Sequence, residues 1–478
     1  MKVNDMTAQA MRKNMNHVFT PTIFREYDIR GIVGQSLFAQ DAYFIARAFA
    51  TKAASLQKDG VICVARDGRL SSPEMHEAVC RGIVDSGLNV LDIGLGPTPM
   101  LYYAAYSKKA VGGIMVTGSH NPPTHNGFKF VLQNQAFYGA QIAELKTLAE
   151  NNNLASGVGK IEEEDIRETY TAAMLAAYDG TRDLSVAWDA GNGATGEIMS
   201  AVCQRLAGKH VALNETIDGT FPAHHPDPTV PENLKQIIDT VREQKLDAGI
   251  AFDGDGDRLG VVDDEGNILW GDQLLMLYAA DILKEKPGAT IIADVKASGA
   301  LFDEVTRLGG KPLMWKTGHS LIKSKMKETG APLAGEMSGH LFFADKYYGF
   351  DDAIYAAVRL LGLLSRSGRK LSELRAALPK RINTPEIRFE CDDTRKFKVI
   401  EEVKSRLQKD GAKFSDVDGV RVSTAAGWWL LRASNTQAML VARCEAENEQ
   451  GLESLKQDLQ KQLALSGVEL PEKSSGHH

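Results

Sequence analysis

No close pair of cysteines occurs in the 478 residues; Cys63, Cys80, Cys203, Cys391 and Cys444 are scattered along the chain. That is the pattern of reduced cytoplasmic thiols, most of them small core residues, and not of a disulfide framework. No apolar run approaches the length needed to span a bilayer. Met1 to Asn16 carries lysines and an arginine but no apolar core followed by a cleavage signal, so neither a membrane partner nor a secretory peptide is expected. An excess of basic residues is also missing. Lys and Arg number 55 against 62 Asp and Glu, a net charge of −7, which argues against nucleic acid as the main partner. An anionic ligand must then be held by a local cluster of Arg, Lys and backbone amides. What is present is the make-up of a soluble globular protein, 43% hydrophobic and 24% charged, too long for one core and of a length that suggests three or four domains.

Strands alternate with helices over most of the chain. Val61 to Ala65 reads as a buried strand ending in Arg66-Asp67-Gly68-Arg69; Ser71-Ser72-Pro73-Glu74 reads as a helix start with a capping hydroxyl and a proline in the first turn, and Gly87 as its end. Strands at Asn89 to Ile93, Gly113 to Val116 and Phe128 to Leu132 follow. Strand, glycine-rich turn and helix recur at Val186 to Leu206 and at Ile291 to Leu308, which predicts three related mixed α/β domains with largely parallel sheets. Near Lys380 the pattern changes to short strands with two amphipathic helices, a smaller α+β domain. The expected boundaries are 1–163, 164–266, 267–380 and 381–478.

Four stretches carry chemistry. Thr117-Gly118-Ser119-His120-Asn121-Pro122-Pro123 follows an apolar strand, and its prolines forbid strand or helix from continuing. Ser119 is then held at a strand end, with His120 beside it and Lys129 ten residues on, though Gly, Ser, Asn and Pro are also ordinary turn residues. Asp253-Gly254-Asp255-Gly256-Asp257-Arg258 lies between two strand-like runs. Three carboxylates on five residues repel one another unless a cation sits among them, and hard oxygen ligands select Mg²⁺ or Ca²⁺. A calcium-binding hand would need Gly where Arg258 stands and Glu where Asp264 stands. A phosphatase using Asp253 as nucleophile fits the strand before it but leaves Ser119 without a task. Arg432-Ala433-Ser434-Asn435-Thr436 offers a guanidinium fork, hydroxyls, an amide and turn N–H groups for a phosphate, or is a plain polar turn. Gly335-Glu336-Met337-Ser338-Gly339-His340 has donors and acceptors suited to adjacent sugar hydroxyls, and Lys316-Thr317-Gly318-His319-Ser320 adds a cationic loop. His224-His225, among prolines, reads as a rigid loop and not a metal site.

Together these loops resemble the α-D-phosphohexomutases, most closely their bacterial phosphomannomutase/phosphoglucomutase branch, from Tyr27-Asp28-Ile29-Arg30-Gly31 to Arg432-Ala433-Ser434-Asn435-Thr436. The resemblance implies four domains around a central active-site cleft, each giving one loop. It implies a phosphoserine at Ser119 and Mg²⁺ on Asp253, Asp255, Asp257 and the serine's phosphate. It further implies sugar contacts from Glu336, Ser338 and His340, and a phosphate cradle at Arg432, Ser434, Asn435 and Thr436, with Tyr27 and Lys296 also binding substrate. His120, Lys129, Arg30 and His319 are the candidates for proton transfer, and Arg258 would share charge developing on the phosphate. The implied reaction moves phosphate between O1 and O6 of a hexose phosphate, glucose or mannose, through a hexose 1,6-bisphosphate. Glu-Met-Ser-Gly-His looks like the glucose/mannose type, whereas glucosamine mutases typically carry Glu-Gln-Ser-Gly-His. A monomer or weak dimer is expected. A non-catalytic sugar-phosphate sensor is the remaining alternative, and it has no reason to keep nucleophile and acidic loop together.

Overall fold

The computed structural model describes residues 17–435 and 437–471, folded around four sheets. The first is mixed. Strands Ile29–Ile32, His125–Leu132 and Gly112–Val116 run antiparallel, and from Gly112–Val116 the sheet continues in parallel through Val61–Arg66, Asn89–Leu95 and Ile161–Glu163. Gly112–Val116 is buried at every residue, as a strand must be that is paired on both edges and covered on both faces. The largely parallel sheet read from the sequence is thus only half the story. His125–Leu132 starts three residues earlier than its apolar run suggests and turns back against its neighbour.

The second sheet places Leu184–Asp189 between Gly208–Leu213 and Ala248–Phe252, all parallel, and adds Leu259–Asp263 antiparallel to the last. The third runs Lys311–Trp315, Thr290–Asp294, Leu333–Gly335, Leu341–Phe343, with only the final pair antiparallel. The fourth is antiparallel throughout, with Met439–Ala446 and Gly427–Ala433 at its centre. Helices Asp393–Lys409 and Glu449–Ala464 contribute buried side chains to the core of this fourth sheet. Three mixed α/β units and a smaller α+β unit are therefore present, each with its own sheet.

One apolar core joins three of them. Leu101 and Tyr102 from the first unit, Trp188 and Phe252 from the second, and Tyr278 and Phe343 from the third belong to a single buried cluster. The fourth unit keeps a separate core around Trp429, Val399 and Leu459. It reaches the third unit through both kinds of contact: Val295 and Met314 pack on Trp428 and Leu430, while Arg421 donates to the carbonyls of Val295 and Ala297, Arg443 to that of Lys296, and Gly299 N donates to Glu445.

The helix start at Ser72–Asp85 differs from expectation. Ser71 makes no side-chain cap; it accepts from Asn126 Nδ2, and Ser72 Oγ donates to Asp67 Oδ1 instead. The two hydroxyls serve the loop before the helix because a buried carboxylate there, Asp67, needs donors more than the helix does. Gly87 follows the helix with φ +92°, as its reading predicts. Among the described residues no helix is long and apolar enough to cross a membrane.

Candidate active site

Ser119 follows the buried strand Gly112–Val116 and takes a left-handed backbone, φ +52°, with only 2% of its surface exposed. Such a conformation in a non-glycine residue persists only where surroundings enforce it. Here they are Asp67 and Arg69. Asp67 Oδ2 accepts from Thr117 Oγ1 and Gly118 N, and Thr117 Oγ1 in turn accepts from Ser119 N at 2.8 Å. The fully buried Arg69 guanidinium donates to the carbonyls of Ser119, Asn121, Pro122 and His125. The loop is thus clamped by its backbone, leaving the serine side chain free to face inward.

What it faces is the acidic triplet. Ser119 Oγ lies 3.2 Å from Asp253 Oδ2 and 3.2 Å from His120 Nδ1. The two loops touch backbone to backbone, since a Cβ on Gly254 would stand 2.4 Å from the Ser119 carbonyl oxygen. Asp253 Oδ1 accepts the N–H groups of Gly256, Asp257 and Arg258, which folds the loop so that its carboxylates converge. Asp253, Asp255 and Asp257 are fully buried, and one oxygen from each lies within 4.8 Å of the others.

Burial of three like charges is sustained by a cation of the chain itself. Lys129 Nζ donates to Asp255 Oδ2 at 2.7 Å and to Asp257 Oδ2. Burial works against its charge, but Asp255 and Asp257 outweigh it and hold the ammonium well above its ordinary pKa. Burial likewise works to raise Asp257, yet Lys129 and His340 keep it well below the usual carboxylate range. Asp253 goes the other way: burial, then Asp257 and Asp255, push it well up. Even so, among the described residues Asp255 Oδ1 and Asp257 Oδ1 accept no hydrogen bond. Two orphaned buried carboxylate oxygens beside a third carboxylate form a hard, anionic donor set, and that set fits a small divalent cation.

The sugar-type loop is joined to this centre. His340 Nε2 is 3.3 Å from Asp257 Oδ1 and its Nδ1 3.3 Å from Glu336 Oε2, while Leu259 N donates to Gly339 O. Burial opposes the charge on His340, but Asp257 and Glu336 raise its pKa to about 9. Glu336 Oε1 accepts Gly318 N at 2.7 Å, and Ser338 Oγ meets His340 Nδ1 at 2.8 Å. His319 stacks on His340 with ring centres 5.6 Å apart, and its Nδ1 faces Asp351, which Lys323 also holds. Burial, then Lys323, lowers the pKa of His319. His120 is lowered well below its ordinary value by burial, then by Arg258 and Arg30.

The remaining candidates mark the cleft outward. Arg258 projects from the triplet with its nearest carboxylate, Asp227, 4.0 Å away. Arg30 donates to Asn121 Oδ1 and Asp28 Oδ2. Tyr27 bridges two units, donating to Thr317 O and accepting from Asn435 Nδ2 at 2.6 Å. Lys296 pairs with Glu386 Oε2 at 3.1 Å, Arg432 with Asp418 Oδ2 at 3.0 Å, and Ser434 Oγ accepts Gln437 N. Thr436 lies outside the described residues. Residues that the sequence reading passed over are Asp67, Arg69, Lys323, Asp351, Glu386, Asp418 and Thr98, whose Oγ1 donates to Asp255 Oδ2 at 2.5 Å. Only Asp67 and Arg69 had a local signal, a charged Asp-Gly turn closing a buried strand. His224 Nε2 lies 2.9 Å from buried Asp189 Oδ2.

Comparison with known proteins agrees with this arrangement. The profile described as phosphoglucomutase/phosphomannomutase, alpha/beta/alpha domain I, matches residues 21–155; those of domains II and III match 168–266 and 270–382, and that of the C-terminal domain matches 386–462. The chain is 46% identical over 450 residues to the phosphomannomutase/phosphoglucomutase of Pseudomonas aeruginosa, covering 94% of this chain and 97% of that protein. To the phosphoglucomutase of Neisseria gonorrhoeae it is 44% identical over 442 residues, 91% of this chain and 95% of the other. A crystal structure of a phosphoglucomutase/phosphomannomutase family protein from Burkholderia thailandensis superposes with a TM-score of 0.90 at 42% identity, over 95% of this chain and all of that one. With four family domains in order and a buried serine set against an acidic triplet, the chain belongs to the phosphoglucomutase/phosphomannomutase family.

Proposed function

We propose that the protein interconverts hexose 6-phosphate and hexose 1-phosphate, of mannose and glucose, through a phosphoserine and a hexose 1,6-bisphosphate. The observation that carries this is the 3.2 Å approach of Ser119 Oγ to Asp253 in a buried, doubly clamped loop. Phosphorylated, Ser119 carries about −2 charge. Asp253, Asp255 and Asp257, with an oxygen of that phosphate, would hold Mg²⁺, which neutralises charge on the transferring group. Lys129, held as an ammonium by Asp255 and Asp257, positions two of these carboxylates; its protonated state argues against its use as a base.

In the forward half a sugar hydroxyl attacks phosphorus, the bond from phosphorus to Ser119 Oγ breaks, and the hydroxyl proton leaves. His319, kept neutral by burial and oriented by Asp351, is the group we assign to accept it. The bisphosphate turns end over end, and in the return half Ser119 Oγ attacks the phosphorus at the other end of the sugar, the bond from that phosphorus to the sugar oxygen breaks, and His319 returns its proton to the departing oxygen. His120, with Nδ1 3.2 Å from Ser119 Oγ, gives that oxygen a proton when it leaves in the forward half and, then neutral, takes it back as the serine attacks. Arg258 shares the charge developing on the phosphate. Arg432, Ser434, Asn435 and Thr436 hold the phosphate that does not react, and Arg30, Tyr27 and Lys296 line its approach. Glu336, Ser338 and His340 read hydroxyls that look alike in both orientations, which permits either configuration at C2. Catalysis is mostly positioning and charge neutralisation.

The partners are hexose phosphates, the working form is a monomer or weak dimer in the cytoplasm, and the domain limits we adopt are those expected from the sequence. Phosphorus NMR of mannose 1-phosphate, glucose 1-phosphate and glucosamine 1-phosphate with Mg²⁺ and a trace of hexose bisphosphate tests the assignment. Formation of the 6-phosphates of mannose and glucose is the expected result. Release of inorganic phosphate without isomer would overturn it in favour of hydrolysis, and turnover of glucosamine 1-phosphate alone would move the substrate.

A further inference from the structure

Apart from the acidic triplet, His76, Cys80 and Asp92 come together between a helix and a strand of the first unit. His76 and Cys80 stand four residues apart on helix Ser72–Asp85, hence on one face, and Asp92 reaches them from the adjacent strand Asn89–Leu95. His76 Nε2 lies 3.0 Å from Asp92 Oδ1 and 4.0 Å from Cys80 Sγ, and ligand atoms of all three fall within 4.8 Å of one another. Tetrahedral zinc, with bonds of about 2.0 Å to nitrogen and oxygen and about 2.3 Å to sulfur, would need nitrogen and oxygen roughly 3.3 Å apart and nitrogen and sulfur roughly 3.5 Å apart. The observed separations differ from these by about half an ångström or less. Among the described residues this is the one trio of potential ligands that contains a thiol.

We propose that His76, Cys80 and Asp92 form a binding site for a soft divalent cation of the Zn²⁺ type, with three protein ligands and one water. The mix of imidazole, thiolate and carboxylate selects Zn²⁺ or Co²⁺ over Mg²⁺, which the all-oxygen triplet suits. His76 and Asp92 retain 11% and 17% side-chain exposure, enough for an ion and its water to enter, whereas Cys80 is buried. Gly94 N donates to Asp92 Oδ1 at 2.8 Å and fixes that carboxylate's orientation. Asp92 and Glu77 lie near the thiol, and Arg66 lies near Asp92. In the absence of an ion, burial, then Asp92, pushes the thiol's pKa up. Loading therefore breaks the Cys80 S–H bond, forms a metal–sulfur bond and releases one proton to solvent. The loaded site would pin to its neighbouring strand the helix whose first turn holds Asp67.

Co²⁺ reports directly on such a site, because only a thiolate ligand gives the near-ultraviolet sulfur-to-cobalt charge-transfer band. Titrating the full-length protein with CoCl₂ in excess Mg²⁺ should raise that band to saturation at one equivalent, and ZnCl₂ should remove it. Cys80→Ser should abolish the band, and Asp92→Asn should weaken Co²⁺ binding by about 10- to 100-fold with an unchanged circular dichroism spectrum. Should Cys80→Ser fail to fold, His76→Gln serves in its place, with at least a 100-fold loss expected. No band up to roughly millimolar Co²⁺ would overturn the proposal, as would a band kept at full strength in Cys80→Ser or at full affinity in His76→Gln.

Discussion

The two ends of the cleft are held by different physics. At the inner end, Ser119, the acidic triplet and His340 come from three units whose apolar side chains form one continuous core. At the outer end, Arg432, Ser434 and Asn435 belong to a unit with a core of its own, docked by one small apolar cluster around Val295 and Trp428, by arginine-to-carbonyl bonds and by Tyr27. A shared core cannot be parted without exposing apolar surface, whereas a few polar contacts can exchange for water at small net cost. The contrast teaches that, on the proposed function, the reacting atoms sit in the undivided core and the phosphate anchor sits in the unit with the smaller apolar contact to the rest. Replacements at the inner end should therefore strike kcat, and those at the outer end KM.

The largest effect is expected from Ser119→Ala, which should abolish labelling of the protein by a radioactive bisphosphosugar and lower turnover about 10⁴-fold or more; a labelled variant would place the nucleophile elsewhere. Next comes Lys129→Met. It leaves buried carboxylates without their counter-charge, so stability measured by denaturant in chelator should drop by about 3–5 kcal/mol, with Mg²⁺ restoring part of it. Gly254→Ala forces the two inner loops apart, since its methyl cannot coexist with the Ser119 carbonyl. A shift of that size should cut kcat about 100-fold with little change in KM. At the outer end Tyr27→Phe removes the hydrogen bonds to Thr317 and Asn435, and KM should rise about three- to tenfold at constant kcat. An effect of Tyr27→Phe on kcat alone would erase the distinction between the two ends.

The smallest effect concerns His224, outside both ends. Burial opposes its charge, but Asp189 outweighs it and raises the pKa. A histidine raised on folding contributes stability that is fully present below its unfolded pKa of about 6.5 and is lost as pH rises through the folded value. His224→Gln should flatten that decline in unfolding midpoints as pH rises above about 6.5 and leave activity intact.

The inner loops were legible because their signals are local. Two glycines among three aspartates after an apolar run, and Ser-His before two prolines, each dictate a sharp turn at a strand end. Their partners were not legible, because nothing near Lys129 announces Asp255 and Asp257 more than a hundred positions away. Asp351 beneath His319 and Asp418 beside Arg432 were invisible for the same reason. Ser71 misled in the opposite way: its type and position suit a helix cap, but a buried carboxylate and Asn126 competed successfully for the hydroxyls of that turn. The antiparallel return of His125–Leu132 also escaped, since a fully buried strand shows no alternation from which its direction could be read.

Lys129 has a consequence for how the molecule matures. Because an ammonium tethered to the backbone already balances part of the triplet's charge, the newly made chain can assemble its centre before any mineral supply reaches it. An ion entering the triplet would then add to a centre that is already assembled.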